Sequence, residues 1–338
     1  MVGKTPGFWW KKQNFLGRVL LPLSWIYGYF SRRAMERKNV PYLDLPVLCV
    51  GNFTTGGSGK TPVVISLAKQ AEKLGLTPGI VSRGYGGQIR TPHLVDLERD
   101  RARDVGDEPL LLVRHAPVAI ATNRLEAAQL LKQQGCNFIL MDDGFQSRRI
   151  FIDYALIVVD GLRGLGNNAV FPAGPLRAPL ETQLKYTNSV LIIGKSDNID
   201  YVIKAANQAG KPLQFAHLSP IVNRDVKDKS FLAFAGIGNP HKFFRSIIEL
   251  KGKVAKTLIY PDHHFYSSRD LQDIIATAAA NKLCLATTAK DFTRLAPNGQ
   301  NTQLEDLFIF DVDVAYDGAD FCQKIIEKTL ENFKDRKF

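Results

Sequence analysis

Residues 46–61 constrain the fold more than any other stretch of the chain. An apolar run, PVLCVGNF (46–53), ends in Gly51-Asn52 and reads as a buried parallel strand. It is followed by Thr54-Thr55-Gly56-Gly57-Ser58-Gly59-Lys60-Thr61, then Pro62 and the helical pattern VVISLAKQAEKLG. A strand, a glycine-rich turn and a helix in this order point backbone N–H groups at an anion, and the helix N-terminus adds partial positive charge. Gly-Lys-Thr at the helix start supplies a cation to reach β and γ phosphates and a hydroxyl to hold Mg²⁺. Pro62 suits a first helical turn. The loop departs from G-x-x-x-x-G-K-[ST] at its first position, which is Thr54.

A phosphate loop of this kind needs an acid at the end of a neighbouring strand to hold the metal. Residues 137–146, NFILMDDGFQ, offer an apolar run closed by Asp142 and Asp143. Two adjacent carboxylates followed by glycine are costly unless a cation neutralises them. Both are candidate metal ligands together with Thr61, and either can be the inner-sphere donor. Gln146 is four residues past Asp142 and is a candidate to line the same site. The amphipathic stretch from Arg124 to Lys132 is the crossover helix of a βαβ unit. Further apolar runs at 79–83, 118–122, 154–160 and 189–195 alternate with helical stretches. The expected fold is α/β, a P-loop NTPase-like doubly wound, mostly parallel sheet with ligands at the carboxyl ends of its strands.

The 338 residues predict about two domains. A polar stretch at 226–230 (VKDKS) reads as a linker. The expected organisation is an N-terminal segment, 1–38, a P-loop core, 39–225, and a smaller C-terminal α/β lobe, 226–338. Strands in that lobe are expected at 231–237, 257–261, 283–288 and 307–314, with helices from about Lys242 and over Ser268–Ala280. Cys49, Cys136, Cys284 and Cys322 show no CxxC spacing and read as reduced thiols.

The net charge is +11, and +7 of it lies in residues 1–38: Lys4, Lys11, Lys12, Arg18, Arg32, Arg33, Arg37 and Lys38 against Glu36. A nucleic-acid binder spreads its basic surface over the folded body, so no nucleic-acid partner is expected. All three tryptophans (Trp9, Trp10, Trp25) also fall in this segment, with Phe8, Phe15, Tyr27, Tyr29 and Phe30. The longest uncharged run, Val19–Ser31, is thirteen residues and contains Pro22, short of the roughly twenty that span a bilayer. No A-x-A-like cleavage site follows. Trp and Tyr beside Lys and Arg suit the headgroup layer of an anionic membrane surface, and residues 8–38 are expected to dock there. A helix packed on the protein's own core is the competing use of the same residues.

Beyond the glycine-rich loop, the chain carries SRGYGG (82–87), GDEP (106–109), MDDGFQ (141–146), FPAGPLR (171–177), AGIGNP (235–240) and PDHHFY (261–266). This ordered set, from about residue 10 to 330, resembles the tetraacyldisaccharide 4′-kinase family. The resemblance implies transfer of the γ-phosphoryl of ATP, with Mg²⁺, to the 4′-hydroxyl of an acylated glucosamine disaccharide 1-phosphate, giving lipid IVA at the cytoplasmic face of the inner membrane. It implies nucleotide binding by Thr54, Thr55, Gly56, Gly57, Ser58, Gly59, Lys60, Thr61 and Gln146. Lys60 and Asp143 are expected to act in catalysis. Ala178 stands where the family often has a glutamate after PLR; Glu181 is the nearest replacement.

A sugar hydroxyl is a poor nucleophile, and histidine is the side chain best matched to remove its proton near neutral pH. Of the six histidines, His263 and His264 alone sit in a tight polar cluster. The resemblance favours His263, oriented by Asp107. The alternative is that Asp262-His263-His264 only caps the following helix. Arg83 and Glu108 are candidates for gripping the acceptor or ATP. A rival class is a P-loop GTPase or metallochaperone switch, to which Ile193-Gly194-Lys195-Ser196-Asp197 is weakly similar through N/T-K-x-D. Protein partners are not legible in the sequence.

Overall fold

The computed structural model describes residues 5–11, 15–295, 304 and 306–336. Among them twelve strands form one sheet: β1 Val47–Gly51, β2 Pro78–Ser82, β3 His93–Leu94, β4 Val118–Ile120, β5 Phe138–Asp142, β6 Tyr154–Asp160, β7 Ser189–Ile193, β8 Leu213–Val222, β9 Ser230–Ala235, β10 Lys253–Ile259, β11 Cys284–Thr288 and β12 Phe308–Tyr316. Their order is β10-β9-β11-β12-β8-β7-β6-β1-β5-β2-β4-β3. All pairs are parallel except β12 with β8 and β3 with β4.

The central strands are buried on both faces, as a parallel sheet between helical layers requires. Side chains alternate along β1. Leu48 and Val50 pack with Val63, Val64, Leu67 and Ala68 of the helix Lys60–Lys73, while Val47 and Cys49 join Met35, Phe53 and Phe145 on the opposite face. The same alternation recurs in β9, where Phe231 and Ala233 face one core and Leu232 and Phe234 the other. The four cysteines are free.

The expected strands are present with ends shifted by a few residues. Two were not foreseen, the two-residue β3 and the ten-residue β8. β8 carries Pro220 and His217 and is mostly half-exposed, so its apolar residues give no clean alternation. Its antiparallel partner β12 lines up residue for residue from Phe310–Val222 to Tyr316–Ala216. The sheet therefore continues past the linker region at 226–230. The last helix, Phe321–Lys334, then returns to pack on the helix Lys60–Lys73 and on β1 and β6. Arg336 closes this return. Its guanidinium donates to the buried Asp153 and to the carbonyls of Leu43 and Leu45, and Asp153 in turn accepts from the Val47 N–H at the start of β1.

The N-terminal segment forms a short 3₁₀ turn, Gly7–Trp10, and two helices, Phe15–Val19 and Leu21–Met35. One face of the longer helix packs on the protein's own core, and the other is exposed. Ser24, Gly28 and Met35 turn inward, and the Ser24 hydroxyl donates to Val170 O (2.7 Å) while accepting from Ala173 N–H (2.9 Å). Phe15, Trp25 and Phe30 point outward with 79%, 71% and 64% of their surface exposed. Trp9 corrects the expectation of a uniformly interfacial segment: it is buried, with its indole N–H on Pro172 O. Lys4 and Lys12 lie outside the described residues. No helix among the described residues is long and apolar enough to cross a membrane.

Candidate active site

The glycine-rich loop leaves β1 and enters the helix Lys60–Lys73 through Gly59, whose φ of 82° is left-handed. A Cβ there would meet Ile193 Cδ1 at 3.0 Å, so glycine is required by both conformation and space. Asn52 braces the turn from below, its amide donating to Thr54 O and Gly56 O. The FPAGPLR segment braces it from the side. Thr54 forms an antiparallel bridge with Leu176, Thr55 N–H donates to Pro175 O, and Arg177 N–H donates to Phe53 O. The same segment holds the N-terminal helix through Ser24, so one loop touches both the helix Leu21–Met35 and the phosphate loop.

β5 pairs with β1 and delivers Asp142 and Asp143 beside the loop. The two carboxylates differ sharply. Asp143 takes a left-handed backbone (φ 56°), which turns it away from its neighbour. Arg177 grips it with two charge-assisted bonds of 2.5 and 3.0 Å, and Lys60 Nζ is 3.8 Å from its Oδ1. Burial works against its charged form, but Lys60 and Arg177 prevail and hold its pKa down at about 2. Asp142 is buried, and among the described residues its Oδ1 has no hydrogen-bond partner. Burial pushes its carboxyl up to about 7, Glu108 and Asp143 add to the rise, and Lys60 opposes it.

Ser58 Oγ is likewise buried without a partner, and Thr61 is buried at the helix start. Orphaned polar atoms cost about 1–3 kcal/mol each unless something satisfies them. Ser58 and Thr61 flank Lys60 at the start of the helix, and Asp142 ends β5, the strand paired with β1; these are the donor types a phosphate and its cation would satisfy. Among the described residues no group of three or more His, Cys, Asp and Glu side chains could hold a metal alone. Thr61 and Asp142 would need phosphate oxygens and water to complete an octahedral Mg²⁺ shell.

Gln146 differs from the expectation that it faces a nucleotide: its amide donates to Asn52 O and Gln183 Oε1 in the scaffold beneath the loop. Arg83 is exposed, near enough to the buried Arg124 to lower its pKa, second to burial. Arg124 donates to the carbonyls of Ala121, Thr122 and Asp143. Ala178 is fully buried, and Gln183 Nε2 donates to its carbonyl. Glu181 is exposed.

The second wall of the cleft starts from SRGYGG and GDEP, which pack backbone to backbone. Gly106 has φ 93°, and a Cβ on it would meet Tyr85 O at 2.5 Å. That contact places Asp107, buried at the start of the helix Asp107–Leu112. His263 reaches it from the C-terminal half, with Nδ1 3.0 Å from Asp107 Oδ2. Burial opposes the Asp107 anion, but the His263 hydrogen bond and the Arg294 and Lys290 charges hold its carboxyl well below the usual range. The Asp107 hydrogen bond raises the His263 pKa; burial and Arg294 work against that rise. An ionised Asp107 only accepts, so Nδ1 carries the proton and Nε2 is left free to take one. A cavity of about 150 Å³ lined by Tyr85, Gly86, Phe265 and His263 opens here.

Glu108 accepts from Lys290 Nζ at 3.0 Å, a second bridge between the halves. His264 belongs to the helix Ser268–Ala280 instead: its Nε2 is 3.2 Å from Asp270, the residue that forms a capping box with Ser267. Arg177, Lys290, Asp291 and Arg294 complete the site, and none was singled out in the sequence. Arg177 was quoted within FPAGPLR without a role.

A phosphate loop, an acid at the neighbouring strand end and a histidine–aspartate pair across the cleft define a P-loop phosphotransferase. A sequence model of the family "Tetraacyldisaccharide-1-P 4′-kinase" matches residues 16–331. The chain belongs to that family. It is 57% identical to a tetraacyldisaccharide 4′-kinase of Bartonella quintana over all of this chain and 98% of the relative. It is 48% identical to one of Brucella anthropi over 99% of each. The fold matches a crystal structure of LpxK from Aquifex aeolicus in complex with ATP, with a TM-score of 0.75 and 23% identity, over 93% of this chain and 99% of that one. Family membership sets aside the GTPase or metallochaperone reading of residues 193–197.

Proposed function

We infer that this enzyme transfers the γ-phosphoryl of ATP to the 4′-hydroxyl of an acylated glucosamine disaccharide 1-phosphate, giving lipid IVA. The observation that supports the chemistry is the nearness of two groups: Asp142 feels Lys60 on one side and, on the other, Glu108, the residue next to Asp107 of the Asp107–His263 pair. The acceptor comes from family membership and the names of the relatives.

Phosphoryl transfer demands positioning and charge neutralisation more than covalent chemistry. Lys60 and the N–H groups of residues 56–61 hold the β and γ phosphates, the Thr55 N–H being bound to Pro175 O. Thr61 and Asp142 would hold the metal; Asp143, already gripped by Arg177, steers Lys60 from 3.8 Å. Bound Mg²⁺ supplies neutralisation of the phosphate charge. His263 Nε2 takes the proton of the 4′-hydroxyl, and Asp107 fixes the imidazole and supports its cation. Arg83, exposed beside the cavity loop, is assigned to the acceptor's phosphate. Glu108 bridges to Lys290 and acts on the acceptor only through that pair.

Residues 8–38 dock on the anionic cytoplasmic face of the inner membrane through the outward Phe15, Trp25 and Phe30, with Arg18, Arg32 and Arg33 at the headgroups. The three-part organisation, 1–38, 39–225 and 226–338, fits this reading, with residues 321–336 returned to the core. The test is label transfer: with γ-labelled ATP, Mg²⁺ and the disaccharide 1-phosphate, label is expected on the 4′ position and is abolished in Asp142→Asn. Release of labelled phosphate without lipid labelling contradicts the assignment.

A further inference from the structure

Arg294 lies just past the helix Ala289–Phe292, 187 residues from Asp107 in the chain, and its side chain is only 1% exposed. Its Nε and Nη2 donate to Asp107 Oδ2 at 3.1 and 2.6 Å, the same oxygen that His263 Nδ1 contacts. Its Nη1 donates to Gly236 O (2.7 Å) and to Asp291 Oδ1 (3.1 Å). Gly236 O also accepts the backbone N–H of His263. One guanidinium is thus bound to the acid of the pair and to the carbonyl that anchors its base.

Arg294 is itself immobilised. Asp291 is fully buried and accepts from Gly236 N–H, Tyr266 OH and Thr288 OH at 2.8, 2.9 and 2.6 Å. His263 sits at φ 60°, a left-handed conformation that a non-glycine residue keeps only when its surroundings fix it. The charged groups around His263 are Asp107 and Glu108 from the helix Asp107–Leu112, Asp262 on its own loop, Lys290, Asp291 and Arg294 from the segment after β11, and Arg103 stacked on Phe265. Among the described residues, only Arg294 contacts the shared oxygen of Asp107 besides His263.

Resting on the assignment of Asp107–His263 as the base pair, we propose that Arg294, clamped by Asp291, is a positioning residue. It holds Asp107 in line with His263 and shares the carboxylate's charge, so that the imidazole returns to its neutral form between turnovers. Without that competing cation, Asp107 would bind the imidazolium more tightly. The base would then stay protonated to higher pH.

The experiment compares full-length wild type, Arg294→Met, Arg294→Lys and Asp291→Asn with His263→Ala. It uses ATP, Mg²⁺ and the lipid acceptor in mixed micelles, with cooperative melting and ADP titration as controls of the folded fraction. Arg294→Met is expected to lower kcat about tenfold or more per folded molecule and leave KM for ATP within roughly twofold. It is also expected to move the acid limb of kcat/KM upward by roughly half a pH unit or more. Arg294→Lys should move the limb back toward wild type. A wild-type limb, with kcat falling only with the folded fraction, would overturn the proposal. If Arg294→Met does not fold, the limb in Asp291→Asn, which removes the clamp on Arg294, decides: raised supports, unmoved overturns. A crippled His263→Ala beside an unaffected Arg294→Met rejects this inference alone. Full activity of His263→Ala rejects the base assignment and the inference with it.

Discussion

Lys60, Thr61 and Asp142 are held by backbone continuous with two adjacent parallel strands, β1 and β5. His263 and Arg294 reach Asp107 from beyond the β8–β12 joint, and side-chain bonds tie them to it. The phosphate wall is preorganised by local geometry: a left-handed turn at Gly59 and a buried Asp142 at the end of the paired strand. The base wall is preorganised by long-range ion pairs. Damage to the first should therefore remove transition-state stabilisation at every pH. Damage to the second should also change how the rate depends on pH.

The largest effect is expected at Lys60. Lys60→Met should lower kcat by roughly 10³–10⁵, the scale of a cation that stabilises a transferring phosphoryl group, and leave the shape of the pH profile intact; steady-state kinetics on label transfer reads both. His263→Ala should cost roughly 10²–10⁴ in kcat and flatten the acid limb. In the wild type that limb has a definite sign. His263 must be neutral to take a proton, and the Asp107 hydrogen bond raises its pKa. kcat/KM should therefore rise with pH through a midpoint above about 6.5, the ordinary histidine value. A midpoint below it would separate the rate from this histidine.

Arg177→Met sharpens the comparison from the phosphate side. It removes two bonds to Asp143, each to a charged group worth about 1.5–3 kcal/mol, so a loss of roughly ten- to a hundredfold in kcat is expected without a pH shift. The smallest effect lies farthest from both walls. Trp25→Ala removes an exposed aromatic from the outward face of the helix Leu21–Met35 and should weaken binding to anionic vesicles by roughly 1.5 kcal/mol, about tenfold. Its kcat on a soluble short-chain acceptor should stay at the wild-type value. Vesicle sedimentation beside that assay separates docking from chemistry.

The same contrast explains what the sequence could disclose. The phosphate loop, Asp142–Asp143 and the strands of the core were legible because their spacing is local: an apolar run, a turn and a charged tip within ten residues. Asp107 and His263 were legible as motifs, and their pairing only through family resemblance. Arg294 and Asp291 were not, because nothing near them in the chain marks a partner 187 residues away. β8 was missed because a half-exposed strand with Pro220 has no alternation to read. Gln146 shows the reverse failure: proximity to Asp142 in sequence suggested a ligand contact, while its amide is spent on Asn52 and Gln183.

The two-walled cleft is tested most directly by a crystal structure of the enzyme with a non-hydrolysable ATP analogue, Mg²⁺ and the acceptor lipid. The account predicts the γ-phosphate on Lys60, the metal on Thr61 and Asp142, and the 4′-hydroxyl within hydrogen-bond reach of His263 Nε2. A triphosphate bound away from residues 54–61, or a 4′-hydroxyl remote from His263, would contradict it.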